Sequence, residues 1–226
     1  MTDYQGPVQR LRLTFSKGEE VKYVGHLDLH NAWERAFRRA RLPLAHSQGY
    51  NPRPRFQIAA ALPVGVTGQA ELLDVWLDER LEPGDVLRRL QPLLPPGFGV
   101  SAVEEVDLRA PALQSQMRTA TYRVVVDTRE TVDGLRGRVR SLLDTPTLPR
   151  QRQQKGKLRT YDLRPLIHDI TVTPGRDGQC VLDLYLAASP EGAGRPDEVL
   201  DVLGLSHTSH RIERTGLVFA GAEFDK

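Results

Sequence analysis

An α+β fold of two tandem ferredoxin-like (βαββαβ) units is predicted from three observations. Segments of period 2 and period 3.6 alternate along the chain. In each half they follow the order β-α-β-β-α-β, the order of the split βαβ unit. A stretch without clear period, RAPALQSQMR at 109–118, separates the halves. The expected organisation is an N-terminal unit over 1–108, a linker over 109–118 and a C-terminal unit over 119–226. At 226 residues the chain is long enough for one large domain or two small ones, each with a core. A single mixed α/β sheet domain is the alternative that the same segments allow.

The first strand alternates Leu11, Leu13 and Phe15 with Arg10, Arg12 and Thr14, and Ser16-Lys17-Gly18 ends it. HLDLHNAWERAFRRARL follows, with Leu29, Trp33, Ala36, Phe37 and Ala40 on one apolar stripe. Asp28 is the expected N-terminal cap and Pro43 the C-terminal stop. FQIAAALPVGV reads as a buried strand and LLDVWLDE as its successor. A helix is expected from Pro83, and FGVSAVEEVDL closes the unit as a strand. In the second half TYRVVVDT is a strand, VDGLRGRVRSLLD a helix, and KLRTYDLRPLIHDITVTP an extended pair around Pro165. CVLDLYLAA, PDEVLDVLG and HRIERTGLVF complete the repeat as strand, helix and strand.

Hydrophobic residues at 39% and charged ones at 27% exclude a disordered chain. The net charge of +2 is too small to indicate nucleic acid, so such a reading has to rest on where the arginines fall. One cysteine, Cys180, excludes a disulfide framework or Cys-rich metal site within the chain, and its apolar neighbours predict burial. MTDYQGPVQR lacks the apolar segment of a secretory leader. AAALPVGV at 59–66 is the longest apolar run, far short of the ~20 residues a bilayer needs. The expectation is a cytoplasmic protein with no membrane contact.

Three basic regions carry the candidate chemistry. Arg35, Arg38 and Arg39 lie away from the apolar stripe of the first helix, where Glu34 can pair with Arg38. SQGYNPRPRF then sets Arg53 and Arg55 between prolines that hold each preceding residue extended. Gln48 and Asn51 add hydrogen-bonding amides, Tyr50 a stacking face and Gly49 close backbone access. An ordered loop whose arginines pair with carboxylates such as Asp74 explains the same residues. The third region, 150–164, holds six Lys or Arg, among them Lys155, Lys157 and Arg159, against the single acid Asp162. Such a cluster favours a phosphate backbone. Its glutamines and Gly156 read as a mobile segment, and Asp162 with Arg164 as a salt bridge.

Histidine supplies the acid–base candidates near neutral pH: His26, His30, His46, His168, His207 and His210. His26, after Gly25 at a strand-to-helix turn, is the weak catalytic candidate; a backbone bond at the helix start is its plain role. His207 and His210 are three apart but lack a third ligand. There is no phosphate-binding glycine loop; GVTG at 65–68 is a turn.

The stretch YVGHLDLHNAWERAFRRARLPLAHSQGYNPRPRF, with ALPVGV and ELLDVWL after it, resembles the radical-SAM-associated domain of unknown function 2344. The resemblance rests on His26-Leu27-Asp28, on Glu34-Arg35 and on Ser47 through Pro54, and KGKLRTYDLRPLI adds to it. It implies a domain fused to, or encoded beside, a radical SAM protein, near a ribonuclease of the E/G type and ribosomal protein genes. One cysteine cannot hold the three-cysteine cluster of such an enzyme, so the cluster is expected on a separate polypeptide. Tandem ferredoxin-like units with basic elements also resemble the CRISPR repeat-processing ribonucleases, at the level of fold.

Together these readings lead to a non-catalytic RNA-binding adaptor. Arg35, Arg38, Arg39, Arg53, Arg55, Lys155, Lys157 and Arg159 would neutralise phosphates, and Gln48, Tyr50 and Asn51 would touch bases or sugar. The expected partners are tRNA or rRNA and a separate radical SAM protein, with no cofactor and no metal. The alternatives are a docking module for that enzyme without RNA contact, and a metal-independent endoribonuclease using His26.

Overall fold

The structure, a computed structural model, describes residues 6–154 and 156–220. It is a mixed α+β fold built on antiparallel sheet, and the chain divides into two compact units between Gln116 and Met117.

In the first unit, strand β1 (Gln9–Lys17) leads to helix α1 (His26–Arg39). Then follow strands β2 (Phe56–Ile58) and β3 (Thr67–Leu77), helix α2 (Pro83–Leu90), strand β4 (Phe98–Val106) and the one-turn helix α3 (Leu113–Gln116). The strand order is β2-β3-β1-β4, with every pair antiparallel. Alternation sorts the strands cleanly: Leu11, Leu13, Phe15, Leu73, Val75 and Leu77 are fully buried in one cluster with the stripe of α1. Trp33 meets Phe15 edge-to-face at 5.0 Å.

On the other face the same strands bury charge. Asp74, fully enclosed, accepts 2.9 Å hydrogen bonds from the Nε atoms of both Arg10 and Arg12. Arg10 also donates to the carbonyls of Ala110 and Pro111. Part of the stretch 109–118 is therefore tied to the first unit: Leu113 is fully buried and Gln114 Nε2 donates to Ile58 O at 2.6 Å.

Two local expectations need correction. Gly25, not Asp28, caps α1; Asp28 sits inside the first turn, where its charge complements the helix dipole. FQIAAALPVGV is strand only over its first three residues. Ala59 N donates to Leu72 O, after which Pro63 and Gly65, at φ 86°, turn the chain. Its later apolar residues Leu62 and Val66 are buried without forming strand.

The second unit runs β5 (Met117–Val126), α4 (Val132–Asp144), β6 (Pro149–Gln154), β7 (Lys157–Asp162), β8 (Ile167–Pro174) and β9 (Cys180–Ser189). Strand β10 (Gly192–Ala193), helix α5 (Pro196–Val202) and strand β11 (His210–Phe219) end it. The order β8-β9-β5-β11 is again antiparallel throughout, and β10 pairs with the end of β9. Thr131 caps α4 by accepting from Gly134 N at 3.1 Å. Cys180 is buried, and burial raises its thiol pKa.

The tract expected to be mobile is a hairpin: β6 and β7 pair in register from Pro149–Asp162 to Gln154–Lys157, and Gly156, at φ 76°, lies in its turn. Nor do Asp162 and Arg164 form a salt bridge. Asp162 Oδ1 instead accepts from the backbone nitrogens of Leu148 (2.7 Å) and Arg164 (3.0 Å). The Arg164 guanidinium donates to the carbonyls of Leu143 and Ile167. Two carbonyls, one in α4 and one at the start of β8, thus take the guanidinium in place of the carboxylate.

Candidate nucleic-acid interface

Helix α1 turns its stripe inward, so Arg35, Arg38 and Arg39 are exposed on the far side. Arg38 is tied to Glu34 at 2.6 Å, one turn earlier. Arg35, Arg39 and the adjacent Arg41 have no carboxylate partner among the described residues. The helix ends because Arg41 takes the left-handed conformation at φ 52°, two residues before Pro43.

From there the chain runs along β3 and rises into a loop with a fixed base. Ala45 N donates to Trp76 O at 2.9 Å, Trp76 N to Arg55 O at 3.0 Å, and Arg55 N to Ala45 O at 2.7 Å. His46 and Pro54 form a bridge pair. Ser47 N donates to Arg53 O at 2.8 Å, and Arg53 N donates back to Ser47 Oγ at 3.0 Å. Beyond this clasp Gln48, Gly49, Tyr50, Asn51 and Pro52 are all exposed, Tyr50 at 99%, and Gly49 holds φ 133°. A phenol so exposed gains nothing from the core and is free to stack.

The two loop arginines point to different neighbours, and neither finds Asp74, which Arg10 and Arg12 occupy. The Arg55 guanidinium lies over the Trp76 ring, 4.6 Å from its centroid. Arg53 is close enough to α1 for its charge to act on His30. His30 stacks on Phe56 with centroids 4.0 Å apart. Burial lowers its pKa most; Glu34 raises it, and the nearby His26 and Arg53 lower it further. So α1 and the loop bring His26, His30, Glu34 and Arg53 into one electrostatic neighbourhood. His26 itself is exposed at the first position of the helix.

The β6–β7 hairpin carries the remaining basic residues, within the second unit. Arg152 and Arg159 face each other across it, an arrangement of like charges that costs stability on its own. Arg152 lies over the Tyr161 ring at 4.8 Å, whereas Arg159 is exposed without a carboxylate partner among the described residues. Lys157 opens β7 opposite Gln154; Lys155 lies outside the described residues. The hairpin base is fixed to α5 by the ion pair of Arg150 with Asp201. Burial and the adjacent Glu198 push the Tyr161 phenol up to about 12.

Sequence reasoning left out Trp76 and the role of His30. The signal for Trp76 was present: in LLDVW it alternates with Leu73 and Val75 and so shares the face of Asp74. His30 stacks on Phe56, a contact across 26 positions of sequence that no local pattern encodes.

Residues 10–196 match a family model described as an uncharacterized protein conserved in bacteria, DUF2344. The chain belongs to this family. The DUF2344 match spans α1, the clasped loop and the hairpin, so the three basic regions all fall within it. No curated protein matches the chain. Among solved structures, a chain from the crystal structure of a Cbf5-Nop10-Gar1 complex is similar at a TM-score of 0.50 and 12% identity, over 96% of this chain and 54% of that one. The DUF2344 chain thus spans about half the length of that relative, and what the two share is a fold. An unknown protein from Galdieria sulphuraria aligns over 92% of this chain and 99% of its own at 11% identity, with a TM-score of only 0.27. Among the described residues no helix is long and apolar enough to cross a membrane, and no three His, Cys, Asp or Glu side chains gather as a metal site would require.

Proposed function

We propose that this chain is an RNA-binding adaptor without catalysis of its own, presenting tRNA, rRNA or a ribosomal substrate to a separate radical SAM enzyme. Its scaffold in this reading is a tandem of ferredoxin-like units. Support for the scaffold comes from strand order: in both β2-β3-β1-β4 and β8-β9-β5-β11, strands joined through a helix are separated by one strand.

One observation carries the RNA reading. The protein neutralises its interior arginines, giving Asp74 to Arg10 and Arg12, yet leaves Arg35, Arg39, Arg53, Arg55 and Arg159 without carboxylates among the described residues. These cations sit on a helix, a clasped loop and a paired hairpin. Little conformational entropy remains to be lost when a polyanion binds them. The exposed Tyr50 and the amides of Gln48 and Asn51 stand beside them for base or sugar contact. The partner enzyme comes from the resemblance of the His26–Pro54 motif.

A docking role without RNA is favoured by a different feature. Tyr23, Leu27 and Val64 are exposed at 73%, 77% and 61%, and Gly65 N donates to Lys22 O, which draws the Val64 turn beside Tyr23. The two readings separate when purified protein is titrated with tRNA, rRNA fragments and duplex DNA at low and high salt and the samples are then run on a gel. Salt-sensitive RNA binding with intact RNA supports the adaptor. Absence of binding leaves docking, and metal-free cleavage lost in His26→Ala replaces both with a nuclease.

A further inference from the structure

We propose that the first unit contains a nucleoside-monophosphate site, built around Trp76 on the sheet face opposite the Leu73–Leu77 core row. A cavity of about 390 Å³ opens there, lined by Arg10, Arg55, Phe56, Gln57, Trp76, Leu108, Ala110 and Ala112. That volume lies in the range of small-ligand sites, roughly 300–1,000 Å³.

Its chemistry is divided. Leu108, Ala110 and Ala112 form an apolar wall for a flat ring, and Leu108 is left 39% exposed at it. The polar groups are mostly donors. Arg10 is spent on Asp74 and on the Ala110 and Pro111 carbonyls. Arg55 has a charged guanidinium with no carboxylate partner among the described residues, and it lies over the indole. Gln57 brings an amide able to read a base edge by donating and accepting.

Trp76 supplies the observation that points to a ligand. Trp76 is 7% exposed, and its ring has Arg10 at 4.8 Å and Arg55 at 4.6 Å. Yet its Nε1–H, shielded from water, has no acceptor among the described residues. A buried donor left unpaired is costly, because it loses water without gaining an acceptor. Arg55 is exposed and can swing from the indole towards an incoming phosphate, opening that side of the ring to the ligand. The ligand satisfies the indole, the phosphate takes the free guanidinium, and the base covers the apolar wall.

Trp33 and Trp76 are the two tryptophans, and neither indole nitrogen has a partner among the described residues. The test is a ¹H–¹⁵N spectrum of their two indole signals, with Trp76→Phe assigning the pair, during titration with AMP, inorganic phosphate and benzoate. The expected result is a saturable downfield shift of the Trp76 signal with AMP while Trp33, in the core, stays still. Phosphate and benzoate should act at least about tenfold more weakly, and Arg55→Gln should weaken AMP about tenfold while leaving the Trp33 signal in place. No shift with AMP up to about 10 mM, or an unchanged AMP affinity in Arg55→Gln, overturns the site. Benzoate matching AMP overturns the nucleotide assignment. RNA binding by the loop is read separately, since AMP saturation without RNA affinity keeps this site and removes the interface.

Discussion

At the scale of single residues, the paired and unpaired arginines define the division between structure and candidate function. Asp74 is fully buried between the guanidiniums of Arg10 and Arg12, so Asp74→Asn strands buried positive charge. The expected loss is about 3–5 kcal/mol, measured by urea unfolding; a loss under about 1 kcal/mol would show that water reaches the pair. His30 gives a pH signature. Its pKa in the folded chain lies below 6.5, so the unfolded chain binds the proton more readily. Stability is therefore intact above about pH 6.5 and falls as the pH drops below it. Unfolding midpoints at about pH 7.5 and about pH 5.5 should differ in that direction, and His30→Phe should reduce the difference. Bound phosphate beside His26, His30 and Arg53 acts oppositely, favouring protonated His30, so RNA should bind more tightly on acidification.

At the scale of elements, the clasp of Ser47 and Arg53 and the hairpin of β6 and β7 make the basic groups rigid. Ser47→Ala removes the oxygen that accepts from Arg53 N and releases the loop tip. RNA affinity should fall several-fold while the melting temperature moves little, because the tip is exposed and contributes no core contact. An equal loss of stability and affinity would make Ser47 a structural residue only. These two elements also mark what was legible in sequence. The proline spacing of the loop revealed its stiffness, since proline restricts its neighbour locally. The first part of the hairpin read as mobile because of Gln151, Gln153, Gln154 and Gly156, whereas its order comes from the register of β6 with β7 and from the ion pair of Arg150 with Asp201, some fifty residues away. Helices α1, α2 and α4 were legible from periodicity and from Pro83. The short β2 was not, because an apolar run does not say where a chain turns.

At the scale of the whole molecule, a net charge of +2 hides local concentrations of uncompensated arginine. Binding through them releases counterions from the nucleic acid, whereas binding through Tyr23, Leu27 and Val64 does not. Salt dependence therefore distinguishes the two modes better than affinity. The most direct measurement is RNA binding by wild type and by Arg35→Gln/Arg39→Gln/Arg53→Gln over a range of salt, with melting temperatures taken on both. The expected result is a steep fall of log K with log salt for wild type. The triple variant should bind more weakly, with a slope flatter by about two to three and an unchanged melting temperature. Equal slopes, or binding that ignores salt, would contradict the assignment of these arginines to a polyanion.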